Sequence, residues 1–132
     1  MRDLLRQLTE AITGRTRVPI TLEIAGRCQP PSDVQIALYR ITQEALYNVA
    51  KHAQASQATV TLRCVPNRID LQVSDNGRGF SWQGISPDHL GLSIMRERAD
   101  EIGALLEIDS RLGQGTRVDI VWRADGADRS EP

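Results

Sequence analysis

Ile69-Asp70-Leu71-Gln72-Val73-Ser74-Asp75-Asn76-Gly77-Arg78-Gly79-Phe80 carries two signals in twelve residues. Ile69, Leu71 and Val73 alternate with polar residues, the period of a strand with one buried face. The strand then runs without a break into an acid followed by two spaced glycines. Asn-Gly is a common turn dipeptide, so a tight turn is the plain reading. The chemical reading gives each part a task. A carboxylate at a strand end can accept a hydrogen bond from an exocyclic amine such as adenine N6. Gly77 and Gly79 would let the backbone pass close to a flat ring, where a Cβ would collide. A walled-in carboxylate also discriminates, because guanine offers an acceptor where adenine offers a donor.

Working backward, Val60-Leu62-Cys64 alternates in the same way, and the Pro66-Asn67 turn makes the two runs an antiparallel hairpin. A long helix precedes them. It starts with Asp33 as N-cap and runs to about Ala53, with Ile36, Leu38, Ile41, Ala45 and Val49 supplying much of its apolar surface. Gly26 and Pro30-Pro31 mark a loop before it, and Val18, Ile20, Leu22 and Ile24 alternate as a strand. Leu4, Leu5, Leu8, Ala11 and Ile12 predict a first helix over 1–14 that ends at Gly14.

Working forward, 81–89 lacks periodicity and is expected to be a flexible loop. A helix resumes near Leu92 with Met95, Ala99 and Ile102 on one face and stops at Gly103. Strands around 104–110 and 115–122 flank the Gly113-Gln114-Gly115 turn, and the polar tail 124–132 is expected to be disordered. Together these elements predict helices on one face of a mixed sheet, an α+β two-layer sandwich.

Glu44, Asn48 and His52 fall at i, i+4 and i+8 of the long helix, with Lys51 alongside, so they share a side. A solvated face is the ordinary explanation of such a stripe. A mid-helix asparagine is better suited to a site, since an amide oxygen can complete the shell of a Mg²⁺ held mostly by phosphate and water. Lys51 or His52 could then meet phosphate charge. His89-Leu90-Gly91-Leu92-Ser93 opens the next helix, where backbone N–H groups make a ready phosphate site, although helix starts of this kind are common. Gly113-Gln114-Gly115-Thr116 reads equally as a hairpin turn. No Gly-Lys-Ser/Thr ending is present, which excludes a Walker A loop, and the Rossmann fingerprint is missing.

Composition narrows the class. Seventeen acids against 16 bases leave a net charge of -1 and no basic stripe for a nucleic acid. No run approaches the roughly 20 apolar residues of a membrane span. Cys28 and Cys64 lack metal-ligand spacing, and a reduced state in a cytoplasmic module is expected.

The combination resembles a known family. Glu44-Ala45-Leu46-Tyr47-Asn48-Val49-Ala50-Lys51-His52-Ala53 is similar to the N box of the GHKL ATPases, and Asp75–Phe80 to their G1 box. Gly91-Leu92-Ser93-Ile94-Met95-Arg96-Glu97-Arg98-Ala99 resembles the G2 box of sensor histidine kinases that pair with NarL/LuxR-type response regulators. Gly113-Gln114-Gly115-Thr116 also matches, so four elements stand in family order across residues 1–123, with 124–132 as the tail.

The resemblance implies a Bergerat ATP-binding sandwich, ATP and Mg²⁺ as ligands, and transfer of the γ-phosphate to a histidine of a separate dimerisation domain within two-component signalling. Asn48 would hold Mg²⁺, and Asp75 would recognise the adenine amine. Gly77, Gly79, Gly91, Leu92 and Ser93 would shape the pocket, Lys51 or His52 would contact phosphates, and Thr116 would lie beside the adenine. Glu44 and Asn48 are the catalytic candidates, Glu44 matching the water-activating base of the related ATPases. His89 stands where the fuller G2 box has glycine, and the short 80–91 stretch implies a small lid with Trp82 as a candidate anchor. Neither His52 nor His89 sits in a phosphoacceptor motif, so the chain is expected to be monomeric and nearly inactive alone. It would act on its kinase's own dimerisation domain, with no nucleic-acid or membrane contact, whether the parent kinase is anchored or soluble. An anti-sigma-factor-type serine kinase and a nucleotide-sensing module without transfer activity are the competing readings.

Overall fold

The alternating runs become strands of one sheet, and the apolar side of every strand faces the same way. The computed structural model describes residues 1–27, 29–50, 55–79 and 90–124. Its elements are α1 (Arg2–Thr16), β1 (Ile20–Ala25), α2 (Ser32–Asn48), β2 (Ala58–Val65), β3 (Arg68–Asp75), α3 (Leu90–Glu101), β4 (Leu105–Ser110) and β5 (Thr116–Arg123). The five strands lie in the order β1-β2-β3-β5-β4. β1 pairs with β2 in parallel, and every other pairing is antiparallel.

Register turns the alternation into rows that cross the sheet. One row is Leu22–Val60–Val73–Val118–Ile108, and the next is Ile24–Leu62–Leu71–Ile120–Leu106. Leu5, Leu8 and Ile12 of α1, Leu38, Ile41 and Leu46 of α2, and Met95 and Ala99 of α3 close over them as one core. The opposite face of the sheet carries ion pairs such as Arg68–Asp70 and Arg117–Asp119. The result is the expected α+β two-layer sandwich, a mixed sheet with its helices on one side.

Several local expectations are corrected. α1 does not stop at Gly14. It continues to Thr16 and ends on Arg17, whose left-handed φ of 63° lets its N–H donate to Thr13 O at 2.8 Å. A helical glycine costs about 1 kcal/mol but need not end a helix, and Pro19 enforces the exit. α2 is capped by Pro31 rather than Asp33, which sits in the first turn and favours the helix dipole instead. Ile36 is 57% exposed. The buried arc is Val34, Ala37, Leu38, Ile41, Thr42, Ala45 and Leu46, and Ile36 projects from nearly the opposite side. The expected end of this helix near Ala53 lies outside the described residues, as do the 81–89 loop and residues 125–132 of the tail. Ala124 itself is tied down, its N–H donating to Asn67 O at 2.9 Å.

Cys64 is disulfide-bonded, not a reduced thiol. The parallel register sets Ala25 opposite Arg63 and brings Gly26 against the Cys64 backbone, so the loop after β1 starts beside this cysteine. The other cysteine of the chain, Cys28, lies outside the described residues.

Candidate functional site

The apolar rows give way at one end of the sheet to a polar one: Ala58–Asp75–Thr116–Ser110, running across β2, β3, β5 and β4 on the side that faces the helices. Asp75 is the last residue of β3 and is half-buried. Its Oδ1 accepts the Gly77 N–H at 2.7 Å, and its carboxylate also accepts the backbone N–H of Thr116. Burial pushes its pKa above the ordinary 3.8, and the two backbone donors oppose that shift without cancelling it. The outcome is a partly desolvated acceptor fixed in direction by its own loop. Such a group suits a ligand that brings an N–H donor.

The glycine loop after β3 and the turn between β4 and β5 interlock. Gly113 N–H donates to Arg78 O at 2.6 Å, and Arg111 N–H to Gly115 O at 3.4 Å. Gly115 has a φ of 81°, and a β-carbon there would run into the Asp75 carbonyl, so only glycine fits without movement. Gly79 packs against the carbonyls of Arg111 and Gly115.

Asn76 is the residue that sequence reasoning passed over as half of a turn dipeptide. Its Oδ1 accepts the N–H groups of Ser56 and Gln57 at 3.0 and 3.1 Å, and its Nδ2 donates to Ser56 Oγ at 2.7 Å. It therefore ties the segment entering β2 to the glycine loop. Asparagine's taste for local backbone bonds was the only signal available, and its partners lie about 20 residues away.

The stripe on α2 meets the start of α3. Glu44 and Asn48 are both half-buried. A β-carbon at Gly91 would lie 2.8 Å from Glu44 Oε2 and 3.5 and 3.6 Å from the two amide atoms of Asn48. Glycine there lets the first turn of α3 close on the acid and the amide. Beyond Asn48 the helix widens into a π-type turn at Val49–Ala50, a feature frequent at functional sites. Leu92 packs on the core and Ser93 is exposed. Lys51, His52, Phe80, Trp82 and His89 lie outside the described residues.

The structure thus groups Glu44, Asn48 and Gly91 on one side, and Asp75, Gly77, Gly79 and Thr116 on the other. Packing of α2 against both β3 and α3 joins the two groups. Among the described residues no cluster of three His, Cys, Asp or Glu side chains could hold a metal alone, and no helix is long and apolar enough to cross a membrane.

Comparison with known proteins shows the family. The family model described as histidine kinase-, DNA gyrase B-, and HSP90-like ATPase matches residues 33–126. The chain is 42% identical over 87 residues to the sensor histidine kinase LiaS of Bacillus subtilis, covering 66% of this chain and 24% of LiaS. It is 32% identical over 133 residues to the nitrate/nitrite sensor protein NarQ of Escherichia coli, covering 96% of this chain and 23% of NarQ. It spans about a quarter of the length of these relatives. The histidine kinase domain of the Erythrobacter litoralis EL346 blue-light activated histidine kinase superposes with a TM-score of 0.72 at 25% identity, covering 96% of this chain and 61% of that one. ShkA, solved full-length in complex with AMPPNP, shares the fold at a TM-score of 0.70 and 21% identity, over 91% of this chain and 29% of ShkA. The chain belongs to the histidine kinase-, DNA gyrase B- and HSP90-like ATPase family, among relatives that are sensor histidine kinases.

Proposed function

We propose that this chain binds Mg²⁺-ATP and presents the γ-phosphate to a histidine on a dimerisation domain of its own kinase, as one step of two-component signalling. The observation that carries the proposal is Asp75: a half-buried carboxylate, oriented by the Gly77 and Thr116 amides, at the polar end of an apolar sheet. Adenine N6 offers the donor such a group lacks. Family membership supports the choice of nucleotide, and a fold neighbour was solved with AMPPNP.

Each residue then has a task. Asp75 binds the base, and Thr116 lies beside it. Gly77, Gly79, Gly91, Leu92 and Ser93 shape the walls, and the opening turn of α3 offers backbone N–H groups to phosphate oxygens. Lys51 or His52 would add a cation there. Asn48 supplies the amide oxygen for Mg²⁺, an ion whose other ligands would be phosphate and water. When bound, Mg²⁺ neutralises phosphate charge. Glu44, held against Gly91, is placed to orient the reacting end of the site. In the transfer, a ring nitrogen of the acceptor histidine forms the new N–P bond. The bond from the γ-phosphorus to the bridging oxygen breaks, and ADP leaves. Phosphoryl transfer of this kind depends on positioning and charge neutralisation, so the domain alone should turn over slowly. On this reading the domain would work in the cytoplasm, and regulators of the NarL/LuxR type would take the phosphate onward.

The test incubates the chain with labelled ATP, with and without a histidine-bearing dimerisation domain. Acid-labile, base-stable label on the added domain is expected. Normal ATP binding with no acceptor ever labelled would instead favour a nucleotide sensor without transfer activity.

A further inference from the structure

The end of the sheet away from Asp75 carries a feature that nucleotide binding does not use. Its last inward row is Cys64–Ile69–Trp122. Cys64 and Ile69 are buried, but Trp122 is only half-buried, and Val65, which follows Cys64, is 52% exposed. A cleft of about 320 Å³ lies over Trp122, between the β1–α2 loop and the β2–β3 turn. That volume is at the small end of the range for small-molecule sites. Both walls are stiff. Pro30 and Pro31 lock their own backbone angles, and Pro31 is the cap residue of α2. Gly26 holds the start of this loop against the Cys64 backbone, and Cys64 is disulfide-bonded. Across the cleft, the Asn67 carbonyl accepts the Ala124 N–H at 2.9 Å. A cleft already held in shape costs a ligand less ordering.

Charge selects the ligand. Among the described residues that line the cleft none is acidic, and two are arginines, Arg27 and Arg68. Arg68 is already paired with Asp70 at 3.0 Å. Arg27 is exposed and makes no ion pair among the described residues. A guanidinium takes a carboxylate through two parallel N–H···O bonds, and a flat ring stacks favourably on an indole. We infer that this cleft is a second ligand site, separate from the nucleotide site, that takes a small aromatic carboxylate. The ring lies over Trp122 between the proline walls, and the acid meets Arg27.

The full chain is titrated by calorimetry with cinnamate and with its neutral counterpart cinnamyl alcohol, with and without saturating Mg²⁺-ATP. Cinnamate is expected to bind saturably, with a dissociation constant on the order of a millimolar, and roughly tenfold tighter than the alcohol, the scale of a hydrogen bond to a charged group. Arg27→Ala should remove that tenfold difference and leave the alcohol unchanged, and Arg27→Lys should restore part of it. Arg27 lies on an exposed loop, so thermal melts of both variants should match wild type. Trp122→Leu should weaken both probes together. Should that variant fail to fold, the indole N–H resonance of Trp122 in the wild type reads the same contact, and cinnamate should shift it. Mg²⁺-ATP should leave cinnamate affinity unaltered. Cinnamate that does not saturate, that binds no tighter than the alcohol, or that is indifferent to Arg27→Ala overturns the inference. Displacement of cinnamate by ATP, or an unmoved Trp122 resonance, places the probe elsewhere and overturns it as well.

Discussion

The two ends of this sheet are built from the same strands and do different work. At one end Cys64, Ile69 and Trp122 continue the apolar rows, Gly26 packs on the Cys64 backbone, and Cys64 is disulfide-bonded. At the other end, in the row next to Val73–Val118–Ile108, Asp75, Thr116 and Ser110 replace the aliphatic side chains, and two loops interlock through carbonyls and glycines. The apolar rows of the first end follow from burial alone. The second holds a carboxylate where burial works against its charge, a pattern that clusters at functional sites. On the proposed function, stability and function are separable along the strand axis.

Asp75→Asn should have the largest effect. Nucleotide affinity is expected to fall roughly a hundredfold, the range of a hydrogen bond to a charged group, by calorimetric titration. Thermal stability at neutral pH should not fall. The raised pKa means the folded chain keeps the Asp75 proton to higher pH than the unfolded chain does. Its contribution to stability is therefore full below 3.8 and is lost as pH rises through the folded value. The variant lacks that loss, so its stability relative to wild type should grow with pH across the window above 3.8. A variant that melts lower at every pH contradicts this assignment.

Gly91→Ala comes next. Its new β-carbon would press on Glu44 Oε2, and the acid must swing aside. Overpacking of about 1 kcal/mol and a roughly tenfold loss of Mg²⁺-ATP affinity are expected from melts and titration. Asn76→Ala removes three side-chain hydrogen bonds at an exposed position, so about 1 kcal/mol of stability and only a few-fold change in ATP affinity should be lost. Smallest of all in its effect on nucleotide affinity is reduction of the disulfide at Cys64. Reductant should lower the melting temperature, since a cross-link is typically worth about 2 kcal/mol or more, and leave ATP affinity unaltered. A nucleotide site that weakens on reduction would show that the two ends are coupled.

What the sequence made legible was whatever depends on near neighbours. Period-two alternation placed β1, the β2–β3 hairpin and both final strands, and the turn at Pro66-Asn67 is real, Asn67 having a φ of 66°. Gly103 ends α3 as expected, with a φ of 68°. The bounds of α1 and α2 were misjudged because the strong local signals, Gly14 and Asp33, were outweighed by the entry to β1 and by Pro31. Ile36 was misplaced because hydrophobicity was counted without its angle around the helix. Asn76 gave only a weak signal, since its partners are brought in by loop docking. The disulfide at Cys64 belongs with it, because parallel pairing of β1 with β2 is not written in either strand. The motif residues Glu44, Asn48, Asp75 and Gly91 were legible only through their joint resemblance to a family pattern.

The central claim is that Asp75 reads the amine of adenine. Titration of the wild-type chain with ATP and with GTP, each in Mg²⁺, tests it most directly. Clear ATP binding is expected, with GTP affinity weaker by roughly a hundredfold, the scale of a charged hydrogen bond replaced by repulsion. Equal affinity for the two nucleotides would contradict it.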